Sequence, residues 1–192
     1  MIELREELAR ASAMLDVRRF DEASALLARV VSAEPESSRA WCLMARAHLG
    51  AERYTEAISA ANQAVSLDPA DEWPHRLASN ALVHLGQHAD ALRAAYEACR
   101  LAPGYWQTHV CVAQAALAGQ RLNAAAEAVE VANRAVALDP ADEWPHRLAS
   151  NALVHLGNFP DALRAADEAR RLAPGYWQTH VCVAQAALIA SV

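Results

Sequence analysis

Small apolar residues recur along the chain at spacings of four and then three. Five such ladders are present: Ala23, Leu27 and Val30; Ala57, Ala61 and Ala64; Ala91, Ala95 and Ala98; Ala128, Ala132 and Ala135; and Ala162, Ala166 and Ala169. This spacing places each ladder on one face of an α-helix, where small side chains allow a neighbouring helix to approach closely. A second helical pattern precedes each ladder. The sequence therefore predicts a series of paired helices.

Prolines mark the period of this pattern. They follow the ladders at Pro35, Pro69, Pro103, Pro140 and Pro174, so that successive positions differ by 34, 34, 37 and 34. The long interval exceeds the others by three residues, which is close to one helical turn, and residues 123–138 contain no helix breaker. We therefore expect the second helix of the fourth pair to be longer than the others by about one turn.

A longer duplication is superimposed on this period. The sequence DEWPHRLASNALVHLG occupies residues 71–86 and again 142–157, and LAPGYWQTHVCVAQAAL occupies residues 101–117 and again 172–188. The offset between the copies is the same in both cases, 142 − 71 = 71 and 172 − 101 = 71. Sequence repeats at a fixed period indicate an array in which each unit buries its core against its neighbours.

The period, the ladders and the prolines together resemble the tetratricopeptide repeat (TPR). This is a helix–turn–helix of about 34 residues with the pattern W-x2-L-G-x2-Y, then A-x3-F, then P. Trp41, Ala57 and Pro69 match that pattern, whereas Ala replaces the later Phe. Histidine stands at the Trp position in the third, fourth and fifth repeats and in the terminal helix: His75, His109, His146 and His180. The resemblance implies an all-α fold, a right-handed α-solenoid of five tandem repeats followed by a C-terminal helix.

The period sets the expected boundaries within a single TPR domain over residues 1–192. The repeats are expected at about 3–36, 37–70, 71–104, 105–141 and 142–175, followed by a terminal helix at 176–192. Asp71 is expected to cap the first helix of the third repeat. Pro74 is tolerated in that helix because its first turn has no intrahelical hydrogen-bond donor to lose.

Composition narrows the classes of partner. The formal net charge is −6, from 17 basic residues, all of them Arg, and 23 acidic ones. Binding to nucleic acid needs a basic surface, so we expect no nucleic-acid partner. No apolar run approaches membrane-spanning length, and the N-terminal sequence MIELREEL lacks the apolar core of a secretory signal. We therefore expect no membrane partner and a cytoplasmic location.

No group of residues in the sequence suggests catalysis, a metal or a cofactor. Cys111 and Cys182 are copies of one another, and the four cysteines show no metal-ligand spacing. His84 and His88 are four residues apart, but a predicted turn lies between them and the duplicate has Phe159 in place of His88. A structural metal site needs more ligands than this pair. We expect a non-enzymatic protein without a cofactor.

The TPR resemblance implies that the first helix of each repeat, helix A, lines a concave groove in which ligand peptides lie. The residues implied to face this groove are Arg39, Arg46, Trp73, Arg76, Asn80, His84, Gln107, Gln114, Trp144, Arg147, Asn151 and His155. This set contains four arginines and no carboxylate, which favours an acidic peptide from a partner protein. The alternative is that the arginines cover apolar surface with their stems and pair with nearby acids.

The last helix suggests a second class of function. VCVAQAAL occurs at residues 110–117 and again at 181–188, but Ile189 follows the second copy where Ala118 follows the first. Helical arrays normally finish with a polar cap. Either the segment belongs to a longer array or this surface packs on another chain, for example in a homodimer. The residues expected in that contact are Val183, Ala187, Leu188 and Ile189.

Overall fold

The computed structural model describes residues 2–119 and 122–190, and the surroundings of side chains over residues 5–119 and 125–188. Over the described ranges the chain forms helices joined by short turns and contains no strand. Helix pairs connected by turns follow one another along the sequence, and each helix of a pair packs on the other. This arrangement confirms the predicted all-α fold of tandem helix–turn–helix repeats.

Eleven helices lie in the described part of the chain. They are α1 (Ile2–Asp16), α2 (Phe20–Ala33), α3 (Ser38–Gly50), α4 (Tyr54–Leu67), α5 (Trp73–His84), α6 (His88–Leu101), α7 (Trp106–Ala118), α8 (Leu122–Leu138), α9 (Glu143–His155), α10 (Phe159–Leu172) and α11 (Trp177–Ala190). The odd-numbered helices are the A helices of the sequence pattern. Helix α8 has 17 residues, whereas α2, α4, α6 and α10 each have 14. The predicted extension of this helix by about one turn is confirmed.

The chain divides into two compact units, Met1–Leu101 and Ala102–Val192. The first unit contains α1 to α6 and the second contains α7 to α11. The expectation that residues 1–192 form one continuous domain stays a prediction.

Alanine ladders form much of the core of the first unit. The ladders of α4 and α6 are fully buried, and Leu27, Val30 and Leu43 are the largest apolar side chains enclosed with them. Helix α3 packs on α2, α4 and α5. At one position an aromatic ring packs directly on the backbone of α3: a Cβ atom on Gly50 would lie 2.3 Å from the Cε1 atom of Phe20, so another residue there would require the ring to move.

The second unit is built on the same plan. The ladders of α8 and α10 are fully buried, and α7 contributes the buried side chains of Val112 and Ala113. Helix α9 packs on α7, α8, α10 and α11. The ladders read from the sequence therefore lie at the helix contacts in both units, as their spacing predicts.

Helices α5 and α9 begin with the same kind of hydrogen bond, from a backbone N–H to an aspartate side chain. In α9, Asp142 is the N-cap, and its carboxylate accepts a hydrogen bond of 2.8 Å from the backbone N–H of Trp144. In α5, Glu72 occupies the N-cap position, and the equivalent bond of 2.9 Å runs from the N–H of Trp73 to Asp71. Asp71 therefore satisfies a free N–H of the first turn, as expected of a cap, although it lies one residue before the N-cap position.

Candidate functional site

The residues predicted to face the groove fall into two groups, one in each unit. The group in the first unit consists of Arg39 and Arg46 on α3 with Trp73, Arg76, Asn80 and His84 on α5. The group in the second unit consists of Gln107 and Gln114 on α7 with Trp144, Arg147, Asn151 and His155 on α9. Within each unit the two helices pack on one another, so the side chains of each group lie on adjacent A helices.

In the first unit, an arginine of α3 lies over an aromatic ring of α5. The Cζ atom of Arg39 is 4.8 Å from the centroid of the Trp73 ring. At an exposed site such a cation–π contact contributes roughly 0.5–1 kcal/mol. The structure thus brings together two predicted residues that lie one repeat apart in the sequence, in a pair that offers an aromatic surface and a positive charge.

The other two arginines of this group are paired with carboxylates. Arg46 Nη2 lies 2.7 Å from Asp16 Oδ1, and Arg76 Nη1 lies 3.3 Å from Glu72 Oε1. Burial raises the pKa of the Glu72 carboxyl, and the charge of Arg76 opposes that rise. These pairs bring carboxylates from outside the predicted set to two of the arginines, Asp16 at the end of α1 and Glu72 before α5. They are pairs of the kind that the alternative interpretation describes, in which the arginines pair with nearby acids.

Asn80 and His84 differ in their surroundings. Asn80 is half-buried. The imidazole ring of His84 stacks on Tyr54, with 4.6 Å between the ring centroids and 6° between the planes. Since Tyr54 is the first residue of α4, one face of the His84 ring is occupied by the neighbouring second helix.

In the second unit, α7, α9 and the turn before α11 enclose a pocket of about 590 Å³. Its lining residues are Gln114, Ala141, Asp142, Glu143, Trp144, Arg147, Leu148, Asn151 and Tyr176. Four of the six residues predicted for this unit are among them; Gln107 and His155 are not. The volume lies in the range of natural ligand sites, and the lining combines aromatic, amide and charged groups as such sites do.

Arg147 holds a central position in this pocket. Its Nη1 atom lies 3.2 Å from Glu143 Oε1, and its Cζ atom lies 5.4 Å from the centroid of the Tyr176 ring. The Nε atom is buried and has no hydrogen-bond partner among the described residues. An unpaired buried donor costs roughly 1–3 kcal/mol. The guanidinium is therefore only partly satisfied by its own chain.

Two buried cysteine thiols donate hydrogen bonds to side chains at or next to the candidate sites. The Cys182 thiol donates a hydrogen bond of 3.8 Å to Asn151 Oδ1, and the Cys42 thiol donates one of 3.7 Å to Asp71 Oδ2. Burial raises the pKa of the Cys182 thiol against the opposing effect of Arg147, and it raises the pKa of Cys42 to about 12. Both thiols stay neutral near pH 7, so they hold the side chains next to them rather than act as nucleophiles.

Sequence reasoning missed five of the nine lining residues, Ala141, Asp142, Glu143, Leu148 and Tyr176. Two of them, Glu143 and Tyr176, contact Arg147. Glu143 precedes Arg147 by four residues on a helix, and this spacing alone predicts an ion pair. Tyr176 comes from the turn before the next A helix, and only the packing of successive repeats brings it to Arg147. The ion pair between Glu143 and Arg147 could have been predicted from the sequence, whereas the contact between Tyr176 and Arg147 could not.

Helix α11 carries the residues predicted for association with another chain. Leu188 is 70% exposed and Ala187 is also exposed, whereas Val183 is half-buried. The side chain of Ile189 lies outside the described residues. Trp177 and Val181, which were not predicted, are 66% and 39% exposed. The exposed apolar side of the helix therefore passes through Val181 rather than Val183.

The described residues form neither a metal site nor a membrane-spanning helix. Among the described side chains, no group of three or more His, Cys, Asp or Glu residues is placed to hold a metal ion. None of the helices in the described ranges has the length and apolar character needed to cross a bilayer.

Comparisons with known proteins give two family matches. Residues 8–72 match the tetratricopeptide repeat, and residues 107–173 match the bacterial transcriptional activator domain. No curated protein matches the chain.

Several solved structures share the fold. A thermophilic TPR protein of Thermus thermophilus is 21% identical with a TM-score of 0.82, over 96% of this chain and 99% of that one. MamA of Desulfovibrio magneticus RS-1 is 17% identical with a TM-score of 0.71, over 88% and 94%. YrrB, a TPR protein with an unusual peptide-binding site, is 18% identical with a TM-score of 0.65, over 91% and 89%. At these identities the similarity is one of fold.

Proposed function

We propose that the chain, in which residues 8–72 match the tetratricopeptide repeat and which shares the fold of TPR proteins, is a non-enzymatic scaffold whose A helices hold an extended peptide of a partner protein. The observation that carries this proposal is the pocket of the second unit. Trp144 and Tyr176, which are 40% and 44% exposed, offer aromatic walls for a side chain of the peptide. The amides of Gln114 and Asn151 can both donate to and accept from a peptide backbone.

The partly satisfied arginine indicates the chemistry of one ligand side chain. Glu143 contacts only Nη1 of Arg147 and leaves Nε without a partner. Because Nε is buried, a carboxylate of the ligand can bind Nε and one Nη atom together only when the Arg147 side chain turns toward the pocket. Such paired hydrogen bonds are stronger than single ones. The ligand must displace Glu143 to do so. We therefore propose an acidic peptide with one carboxylate at this position, rather than a run of acidic residues.

The comparisons support a role of this kind. YrrB shares the fold and has a peptide-binding site, although an unusual one. The match of residues 107–173 to a bacterial transcriptional activator domain favours a regulatory protein as the setting. A cytoplasmic location belongs to the same proposal.

Binding of the intact chain to an array of twelve-residue peptides tests the proposal. The array places one Glu at each position of a Ser-, Ala- and Tyr-containing background and includes the same peptides with Gln. We expect peptides with Glu to bind, and Trp144→Ala and Arg147→Ala each to weaken binding by about tenfold. The matched control is Arg134→Ala, because Arg134 is also paired with a carboxylate four residues before it but lies outside the pocket. Binding that is equally strong in all three variants would exclude this site.

Self-association is the second candidate function. It is favoured by the exposure of Trp177, Val181 and Leu188 on α11, because large exposed apolar patches mark contact surfaces. Light scattering of the intact chain and of the Leu188→Glu variant tests it. A homodimer that the substitution converts to a monomer is the expected result, and a monomer at high concentration in both cases would remove this candidate.

A further inference from the structure

Helices α7 and α11 share the twelve-residue sequence WQTHVCVAQAAL, at residues 106–117 and 177–188. The second unit therefore contains one sequence in two different surroundings. Helix α7 packs on α8 and α9, whereas α11 packs on α9 and α10. What covers α7 is consequently a direct guide to what fits α11.

The surroundings change the exposure of equivalent side chains. Val110 is 3% exposed and Ala113 is fully buried. Their equivalents on α11, Val181 and Ala184, are exposed. Three further equivalent pairs also differ: Trp106 and Leu117 are half-buried and Ala116 is buried, whereas Trp177, Leu188 and Ala187 are exposed. We refer to Trp177, Val181, Ala184, Ala187 and Leu188 as the α11 face.

Helix α8 shows what fits against this sequence. It forms the hairpin with α7, and its ladder of Ala128, Ala132 and Ala135 is fully buried. Its charged residues Glu130 and Arg134 are exposed and form an ion pair with each other. The complement of the α7 sequence is thus an amphipathic helix with small residues at spacings of four and three on its buried side and charges on the other.

We infer that the α11 face is a docking site for an amphipathic helix of a partner protein that carries an alanine ladder of the α8 kind. The bound helix would pack on α11 as α8 packs on α7. A second copy of α11 fits less well, because Trp177 and Leu188 on both faces would hold the two helix axes apart, whereas a ladder of alanines permits close approach. The inference is independent of the peptide pocket, and it names a different occupant for the surface used by the second candidate function.

A labelled peptide of residues 122–138 added to the intact chain tests this inference by fluorescence anisotropy. We expect saturable binding with one peptide per chain and a gain of helical circular dichroism. The Leu188→Glu substitution on the α11 face should weaken binding by about tenfold or more, because a charge then replaces an apolar contact. The control is Val17→Glu in the first unit, since Val17 is exposed to 66% like Trp177; this variant should bind the peptide as the unchanged chain does.

A peptide with Ala128→Glu and Ala132→Glu gives a test that does not depend on any variant of the protein. It should fail to bind, because its ladder is interrupted. Equal binding to the Leu188→Glu variant would overturn the inference, since the peptide would then occupy another place, such as that of α8 on α7. Dimers of the chain that excess peptide does not dissociate would also overturn it. Binding of acidic peptides to the pocket should not respond to Leu188→Glu, so the two proposals can fail separately.

Discussion

Arg147 lies between a carboxylate and an aromatic ring, and these two neighbours come from different distances along the sequence. Glu143 lies one helical turn before it, and Tyr176 belongs to the next repeat. The first unit contains the equivalent ion pair, with Arg76 beside Glu72, because this part of the sequence is duplicated. The charge available to a ligand is therefore smaller than the number of arginines suggests.

Glu143→Gln should strengthen the binding of peptides that carry a carboxylate. The substitution removes the internal competitor for Arg147, and we expect an increase of about three- to tenfold in affinity. Peptides with Gln in place of Glu should not respond. Glu130→Gln is the matched control, because Glu130 forms the same kind of pair with Arg134 away from the pocket. Anisotropy titrations measure both, and an unchanged affinity would show that the ligand does not reach Arg147.

His48 gives a prediction about pH. Arg53 Nε donates a hydrogen bond of 3.1 Å to His48 Nδ1, and Arg53 Nη1 lies 2.6 Å from Asp21 Oδ1. Burial lowers the pKa of His48, as does the charge of Arg53, while Glu56 acts in the opposite direction. The neutral imidazole is the form that the fold favours.

As the pH falls below about 6.5, the unfolded chain binds a proton at His48 before the folded chain does, so stability decreases. Urea unfolding at pH 7.5 and at pH 5 measures this. We expect the unfolding midpoint of the unchanged chain to fall more than that of the His48→Gln variant. An equal fall in both would assign the pH dependence to other groups, such as His75, whose pKa burial also lowers.

At the scale of the helical elements, four of the turns between paired helices use the same backbone conformation with different residues. Gly86 and Gly157 have φ angles of 72° and 74°, and the equivalent Arg18 and Glu52 both have 60°. A residue with a Cβ atom is strained in this left-handed conformation, whereas glycine is not. The duplicated repeats thus have glycine at this position, which adopts the conformation without strain.

Glu52→Gly should therefore stabilise the first unit. We expect a gain of about 0.5–1 kcal/mol in the free energy of unfolding, after the larger entropy of glycine in the unfolded chain is subtracted from the relieved strain. The reverse change, Gly86→Ala, should destabilise by a similar amount. Urea denaturation measures both effects. A loss of stability in the Glu52→Gly variant would show that the Glu52 side chain contributes more than the strain costs.

The sequence predicted the helices well because their signal is local and repeated. Ladders at spacings of four and three and regular prolines are enough to place each pair, and the extra three residues in α8 follow from the proline interval. The side of α11 that is exposed was predicted less well. Val183 was expected on the open side and is half-buried, while Val181 is exposed. In an almost uncharged helix no polar face indicates which side meets the neighbouring helices, so only packing decides it.

Part of the candidate site was predicted for a similar reason. The side chains of Trp144, Arg147 and Asn151 share one face of α9, and helical spacing identifies such a set. The distant partners of the arginines were not predicted, since Asp16 belongs to the repeat before that of Arg46 and Tyr176 to the repeat after that of Arg147. Contacts between repeats depend on the distance and rotation between helices, which residue spacing along one helix does not define.

At the scale of the whole molecule, the net charge of −6 should oppose the approach of an acidic peptide. Added salt screens this long-range repulsion more than it screens a half-buried contact with Arg147. We therefore expect the association rate of an acidic peptide to rise between about 10 and 150 mM salt, and its dissociation rate to change less. Stopped-flow anisotropy measures both rates. An association rate that falls with salt would indicate an exposed positive surface that steers the ligand.

The long duplication also means that one block of 71 residues can be removed without creating a new junction sequence. If residues 71–141 are excised, Ala70 is joined to Asp142, and α4 is again followed by DEWPHRLASNALVHLG. The helix that packs on α4 would then have the same sequence as α5, so the junction requires no new interface. The shortened chain, of length 192 − 71 = 121, should consequently fold with a single cooperative transition in circular dichroism. A gene that encodes such an array can lose or gain one block by recombination within the segments that its copies share, and each product retains a junction that already exists in the parent.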